Sequence, residues 1–234
     1  MSQHRFLASQ GQEVSYRVYR SARRSIGLRI DRRGLTVGAP HQASLREIEA
    51  LLRQHQDWLL EKLADWAAKA QQQERPLTDG DIIPWLGAPL ALRIAPEVRR
   101  CQWMADRLEL PSLPDAELKA LLTERIRARA RAFLPARIAH YAAILGVPPP
   151  PCQLSSAHSR WGSCNSKGKI RLSWRLMHFA PELIDYVVAH ELAHLQEMNH
   201  SPRFWAIVER LYPDWKKARA EIRRLTPTLP QLAP

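Results

Sequence analysis

Cysteine is scarce in this chain. There are three, Cys101, Cys152 and Cys164, with no C-x-x-C spacing, and three cannot all pair. The pattern argues against a disulfide framework and for a reducing compartment. No run of about 18 apolar residues occurs, so no membrane span is expected. The first eight residues lack the apolar core of a signal peptide. The expected location is the cytoplasm. Glycine-rich phosphate loops and carboxylate clusters suited to Mg²⁺ are also missing, and no internal repeat is evident. Acidic residues are outnumbered: 23 Asp and Glu face 35 Lys and Arg, a formal net charge of +12. Such a surface favours anionic partners, nucleic acid or nucleotides among them, without naming one.

What is present reads as an α+β protein. Short alternating runs, Val14-Tyr16-Val18, Ile26-Leu28-Ile30 and Leu35-Val37, predict a small antiparallel meander. Ser44-Leu45-Arg46-Glu47 fits a capping box and opens a helix carrying Ile48, Leu51, Leu52, Leu59, Leu63 and Trp66, with Trp58 and Trp66 as core anchors. Further strands are expected at 82–85, 90–94 and 103–110. Pro111 to Asp115 is the expected boundary between a β-rich N-terminal module, 1–112, and a second domain, 113–234. Asp115 is read as the cap of a long helix ending at Gly146. On that helix Arg125, Arg127, Arg129 and Arg131 spread over the exposed side instead of forming one stripe.

The chemistry is concentrated late in the chain. Cys152 to Ala157 and Lys169 to Trp174 read as strands, the second as an edge strand with one buried face. A helix opened by Pro181 carries His190-Glu191-Leu192-Ala193-His194. Residues four apart on a helix lie about 40° apart around its axis, so the two histidines share a face. Two imidazoles so placed can bind Zn²⁺ and leave room for a third ligand and a water. Glu191, beside that face, can take the proton of a water activated there. Asn199 is expected to end the helix in the left-handed conformation, and Ser201-Pro202 to start the next. His200, pinned between them, is the first choice as third ligand; Glu197 and Glu209 compete. Before the second strand, Arg160, Trp161, Ser163 and Cys164 form a loop that can line a cleft, together with Arg171 on the strand. Arg160 or Ser163 would supply charge or hydrogen bonds to a developing oxyanion. Cys164 could instead approach the metal as an inhibitory ligand, and the loop could equally be a turn that packs Trp161. His158, just before that loop, could lie near the site.

Several stretches together resemble one family. Arg160 to Cys164, Ile170 to Leu176, Pro181, Tyr186 to Leu195 and Asn199 to Trp205 look like the YgjP-like metallohydrolases, and Ser21 to Leu28 and the capped helix ending near Trp58 are similar too. The resemblance runs from about residue 14 to about 220. More distantly, the pattern resembles the SprT and WLM zinc proteases, which act on proteins bound to DNA. It implies a zincin-like catalytic core with the 169–174 strand near the cleft and His190, His194 and His200 as ligands. The family pattern usually has Asn where Ser173 stands. The expected function is a zinc-dependent hydrolase, a metallopeptidase with Glu191 as its base and a peptide or unfolded protein as substrate. Two alternatives stand beside it: a metal-dependent hydrolase of nucleotides or other phosphorylated small molecules, and a zinc-containing nucleic-acid-binding module.

Overall fold

Val14, Tyr16 and Val18 in Glu13–Ser21, and Leu35, Val37 and Ala39 in Gly34–Pro40, are buried in alternation, the signature of strands with one face on a core. A computed structural model describes residues 2–8, 11–31, 34–73, 75–157, 159–230 and 232. Four strands, β1 (Ser2–Leu7), β2 (Glu13–Ser21), β3 (Gly27–Asp31) and β4 (Gly34–Pro40), form a sheet of order β1-β2-β4-β3. The central pair is parallel, with Tyr16 opposite Leu35 and Val18 opposite Val37. This corrects the expected antiparallel meander: alternation determines which side chains face inward, not the direction in which strands pair. The capping box is formed, Ser44 N–H donating to Glu47 Oε2 at 2.6 Å and Glu47 N–H to Ser44 Oγ at 3.2 Å. The helix it opens is interrupted at His55, giving α1 (Leu45–Gln54) and α2 (Gln56–Gln73). Ile48, Leu52 and Leu59 close the core over the sheet. Trp58 is 44% exposed and is no core anchor; the Trp66 side chain lies outside the described residues.

The same topology then recurs. Strands β5 (Ile82–Trp85), β6 (Ala88–Ala95), β7 (Gln102–Trp103) and β8 (Arg107–Pro111) are ordered β5-β6-β8-β7, again with a parallel central pair and antiparallel flanks. A helix again follows, α3 (Asp115–Leu145). The start of α3 even echoes α1: Ile48 and Leu52 correspond to Leu118 and Leu122, all at most 2% exposed. The chain therefore holds an internal repeat.

The chain divides into two compact units, 1–75 and 76–234. The boundary expected at 112/113 thus falls inside the second unit. The reason is packing: Leu92, Leu108 and Leu110 share one core with Leu118, Leu122 and Ile126. Asp115 is not a cap. Pro114 holds that position, and the Asp115 carboxylate accepts from Leu77 N–H at 2.9 Å while pairing with Lys119 at 2.8 Å. The helix α3 buries Leu118, Leu122, Ile126, Ala130, Leu134 and Ile138, every fourth residue, and continues through Pro135 to the left-handed Gly146 at φ 79°. Of its clustered arginines, Arg131 pairs with Glu124 at 3.0 Å, and Arg129 lies 5.1 Å above the Trp103 ring.

Three short strands follow, β9 (Cys152–Ser155), β10 (Gly162–Cys164) and β11 (Ile170–Ser173), in the order β10-β11-β9. The strand β11 is therefore central, parallel to β9 and antiparallel to β10, and not the expected edge. The edge is β10, three residues too short to show periodicity. A 3-10 turn at Trp174–His178 leads to α4 (Pro181–Ala193), and α5 (Pro202–Leu211) and α6 (Trp215–Leu225) complete the unit. The helix α4 buries Leu183, Ile184, Val187, Val188 and Leu192 and packs against α3, α5, α6 and β10. Among the described residues no helix is long and apolar enough to cross a membrane.

Candidate metal centre and active site

The helix α4 ends at Ala193, so His190 occupies its last turn and His194 its C-cap, still in right-handed geometry at φ −65° and ψ −16°. That conformation keeps the two imidazoles on one face. Asn199 has no positive φ, contrary to expectation. The chain returns instead through a turn in which Asn199 N–H donates to Glu197 Oε1 at 3.4 Å and Ser201 N–H to the Asn199 carbonyl at 2.8 Å. Ser201 then caps α5, accepting from Phe204 N–H at 3.3 Å, with Pro202 in the first turn. His200 is thereby brought back to α4.

The three histidines converge. One ring nitrogen of each of His190, His194 and His200 lies within 4.8 Å of the others, and the Nε2 atoms of His190 and His200 are 3.2 Å apart. Two nitrogens bound tetrahedrally at about 2.05 Å from zinc would sit about 3.3 Å apart, so the observed spacing suits a shared cation. His194 Nδ1 lies 3.2 Å from the Glu197 carbonyl; donating to it puts the proton on Nδ1 and leaves Nε2 as the lone-pair donor. Burial pushes His190 down to about 3, with the neighbouring His194, His200 and Arg219 adding to the shift. His194 is lowered too, chiefly by burial. Neutral imidazoles are what a metal requires. The residues therefore fit a metal ion, and three imidazoles with one open side match a hydrolytic site better than a closed structural one. Neither Glu197 nor Glu209 belongs to the group.

Phe204 of α5, fully buried, is the wedge beneath the triad. Its ring centroid is 4.9, 4.5 and 4.7 Å from those of His190, His194 and His200. Trp205 packs beside His190 and His200 at 5.8 and 5.9 Å and stacks on Trp215 at 4.2 Å. Glu191, one residue on from His190, is 5% exposed and packed against β10. Burial raises its carboxyl to about 8, and the Arg160 charge partly opposes this. Gly162 supplies the space it occupies: a Cβ there would stand 2.5 Å from Glu191 Oε1.

A cavity of about 300 Å³ opens beside His190 and Glu191, lined also by Arg160, Trp161 and Gly162 from the loop and strand, and by Tyr186, Arg219 and Arg223. Of the expected cleft residues, Arg160 and Trp161 line it; Ser163, Cys164 and Arg171 do not. Arg171 lies on the exposed face of β11. The Cys164 thiol, pushed up by burial and by Glu191, contacts the Asn165 carbonyl at 3.5 Å and lies outside the histidine group. Trp161 both lines the cavity and packs edge-on against Phe179 at 4.7 Å. His158 lies outside the described residues. Sequence reasoning missed Gly162, Tyr186 and the pair Arg219 and Arg223. The last pair did leave a signal, four residues apart on a basic helix.

A carboxylate beside three convergent imidazoles, two at the end of α4 and one in the turn before α5, is an arrangement that suits metal-dependent hydrolysis. The profile of the YgjP-like metallopeptidase domain matches residues 24–225, and the chain belongs to that family. No curated protein matches it. Among solved structures, it is similar to the metallopeptidase zymogen abylysin of Pyrococcus abyssi, with 23% identity over 43% of this chain and 100% of that one, at a TM-score of 0.37. It is similar also to the metallopeptidase zymogen jannalysin of Methanocaldococcus jannaschii, with 17% identity over 39% of this chain and 94% of that one, at a TM-score of 0.36.

Proposed function

We propose that the chain is a zinc-dependent peptidase in which His190, His194 and His200 hold the metal and Glu191 is the proton carrier. The observation that carries this is the three-imidazole group with Glu191 adjoining its first member. Bound zinc would supply Lewis acidity, polarising the scissile carbonyl and acidifying a water. Glu191 takes a proton from the attacking water and hands it to the leaving amine nitrogen. Its raised proton affinity suits both halves of that task, since a carboxylate of ordinary acidity is a weak base and releases protons too readily to protonate an amine. Arg160 stands on the cavity side, where its charge can stabilise the developing oxyanion.

Support for an extended peptide substrate comes from the edge of β10. Trp161 accepts from Ser173 N–H at 2.8 Å and Asn165 N–H donates to Lys169 at 3.2 Å, so the odd-numbered residues bond inward to β11. By antiparallel alternation the N–H and C=O of Gly162 and Cys164 point outward, and among the described residues they have no backbone partner. A substrate strand added there would run past Glu191.

The test combines metal analysis with turnover. Wild type is expected to hold about one zinc per chain, and His200→Ala to lose it, because two imidazoles alone make a weak site. Glu191→Gln should keep zinc and lose peptide cleavage. Full activity of Glu191→Gln on a verified substrate would refute the assignment.

A further inference from the structure

The cavity beside the metal site carries more positive charge than the reaction requires. Arg160 enters from the loop before β10, and Arg219 and Arg223 enter from α6. Among the described residues, the only acidic one lining the same space is Glu191. Arg219 and Arg223 are four apart on one helix face, and like charges at that spacing destabilise a helix instead of supporting it. Their neighbours do not relieve them. Glu221 is engaged by Arg224 through two hydrogen bonds of 2.8 and 2.6 Å, and Asp214 pairs with Lys217 at 2.8 Å. Arg219 is steadied by lying 5.3 Å above the Trp205 ring, itself stacked on Trp215, and no carboxylate pairs with Arg219, Arg223 or Arg160 among the described residues. Three guanidinium groups from two elements thus share one concave space with His190 and Glu191, in a volume of about 300 Å³ that suits a single side chain better than a large ligand.

We propose that this cavity is a carboxylate-selective subsite for the peptide substrate, with Arg223 and Arg219 as its specificity-determining residues. The group it takes is a carboxylate next to the scissile bond, either an Asp or Glu side chain or the free C-terminus of a short peptide. Planar guanidinium groups recognise a carboxylate with paired hydrogen bonds, which neither an amide nor an ammonium reproduces. Tyr186 and Trp161 provide apolar walls for the methylene stem. The inference rests on the peptidase reading for its substrate, but the binding it predicts does not depend on turnover.

Two measurements separate the possibilities. The first uses the zinc-loaded enzyme on quenched fluorescent peptides that differ only in Glu, Gln or Lys beside the cleaved bond, each with a free and an amidated C-terminus. The second measures binding of the same peptides to the Glu191→Gln protein by fluorescence anisotropy. Losing a charge-assisted pair is expected to lower kcat/KM and affinity by about ten- to hundredfold from Glu to Gln, and further for Lys. Arg223→Glu, an exposed position where folding is not at stake, should reverse the order in favour of Lys, while Arg223→Lys should weaken it without reversal. Dependence on the free C-terminus with indifference to the side chain would assign the subsite to the terminal carboxylate; the opposite pattern would assign it to Asp or Glu. A Glu-over-Gln preference in binding without any cleavage would sink the peptidase reading and keep the subsite. Equal handling of Glu, Gln and Lys, or a preference untouched by Arg223→Glu, would overturn the subsite. So would a nucleoside triphosphate that binds where no carboxylate peptide does.

Discussion

Replacing Gly162 by Ala tests how the Glu191 carboxylate is held. An added Cβ would lie 2.5, 2.6 and 2.7 Å from Glu191 Oε1, Cγ and Cδ. Non-bonded carbon atoms rest at about 3.5–4.0 Å, so the side chain must retreat by about 1 Å. Turning the terminal carboxylate does not relieve the clash, because Cγ is as close as the oxygen. Relief therefore means moving the whole side chain toward the adjoining cavity and out of its observed position. Gly162 has no positive φ, so alanine suits the backbone and the effect is purely steric. A catalytic group displaced by about 1 Å costs about a hundredfold in rate. The expected outcome is a fall in kcat of about that size on a cleaved peptide, with zinc content unchanged because none of the three imidazoles is touched. Overpacking should lower stability by about 1–3 kcal/mol, visible in thermal unfolding. Wild-type kcat in a folded Gly162→Ala protein would show that Glu191 does not need its observed position, and the reasoning would fail.

The remaining predictions concern the support of the site. His178, 2% exposed, has Nδ1 at 2.8 Å from the Pro84 carbonyl, and its Nε2 is buried without a partner among the described residues; burial pushes its pKa down to about 4. Below pH 6.5 the unfolded chain therefore binds the proton more readily, so stability is full above about 6.5 and declines toward pH 4 by about 3 kcal/mol. In chelator-treated protein, denaturant unfolding of His178→Gln should show a correspondingly smaller loss between pH 7 and 4, and an unchanged loss would discard the assignment. Asp185 accepts both Arg137 bonds at 2.6 Å, with its side chain 11% exposed. Asp185→Ala leaves that guanidinium half-buried without its carboxylate, Tyr141 remaining as a neighbour, and should cost about 3 kcal/mol in urea unfolding. Tyr141, held at about 12 by burial and then by Asp185, should titrate lower in the same variant, as read by ultraviolet absorbance.

Local patterns are legible in the sequence where the physics is local. The Ser44–Glu47 capping box, the Gly146 stop and the Ser201-Pro202 start each depend on a few neighbouring residues, and each is formed. Pairing was not legible. Alternation in Tyr16, Val18, Leu35 and Val37 says which side chains go inward and is silent on strand direction, so the parallel β2–β4 pair was missed. The same silence hid the second sheet of identical order. With its loops of different length and little shared identity outside the helix starts, the repeat shows itself only in space. The domain boundary followed: Pro111 to Asp115 has the composition of a linker, yet Asp115 binds the Leu77 backbone.

The candidate site divides along the same line. His190, Glu191 and His194 are legible because helical spacing alone puts them together, and His200 because its turn is short. Gly162, Arg219 and Arg223 come from other elements and meet the motif only through tertiary packing. What the repeat contributes is rigidity. After the first sheet the helix breaks at His55; after the second it runs on from Asp115 to Leu145. That added length carries Leu134, Ile138 and Tyr141 into the core of α4 and brings Arg137 onto Asp185. Asp185 lies five residues before His190, little more than one helical turn away. A helix that is to ligate a metal must hold its side chains to within about 0.5 Å; α4 is clamped from behind by α3, and Phe204 packs against the imidazoles. The histidine motif names the candidate ligands, but the extended helix of the second repeat is what holds them in place as a group.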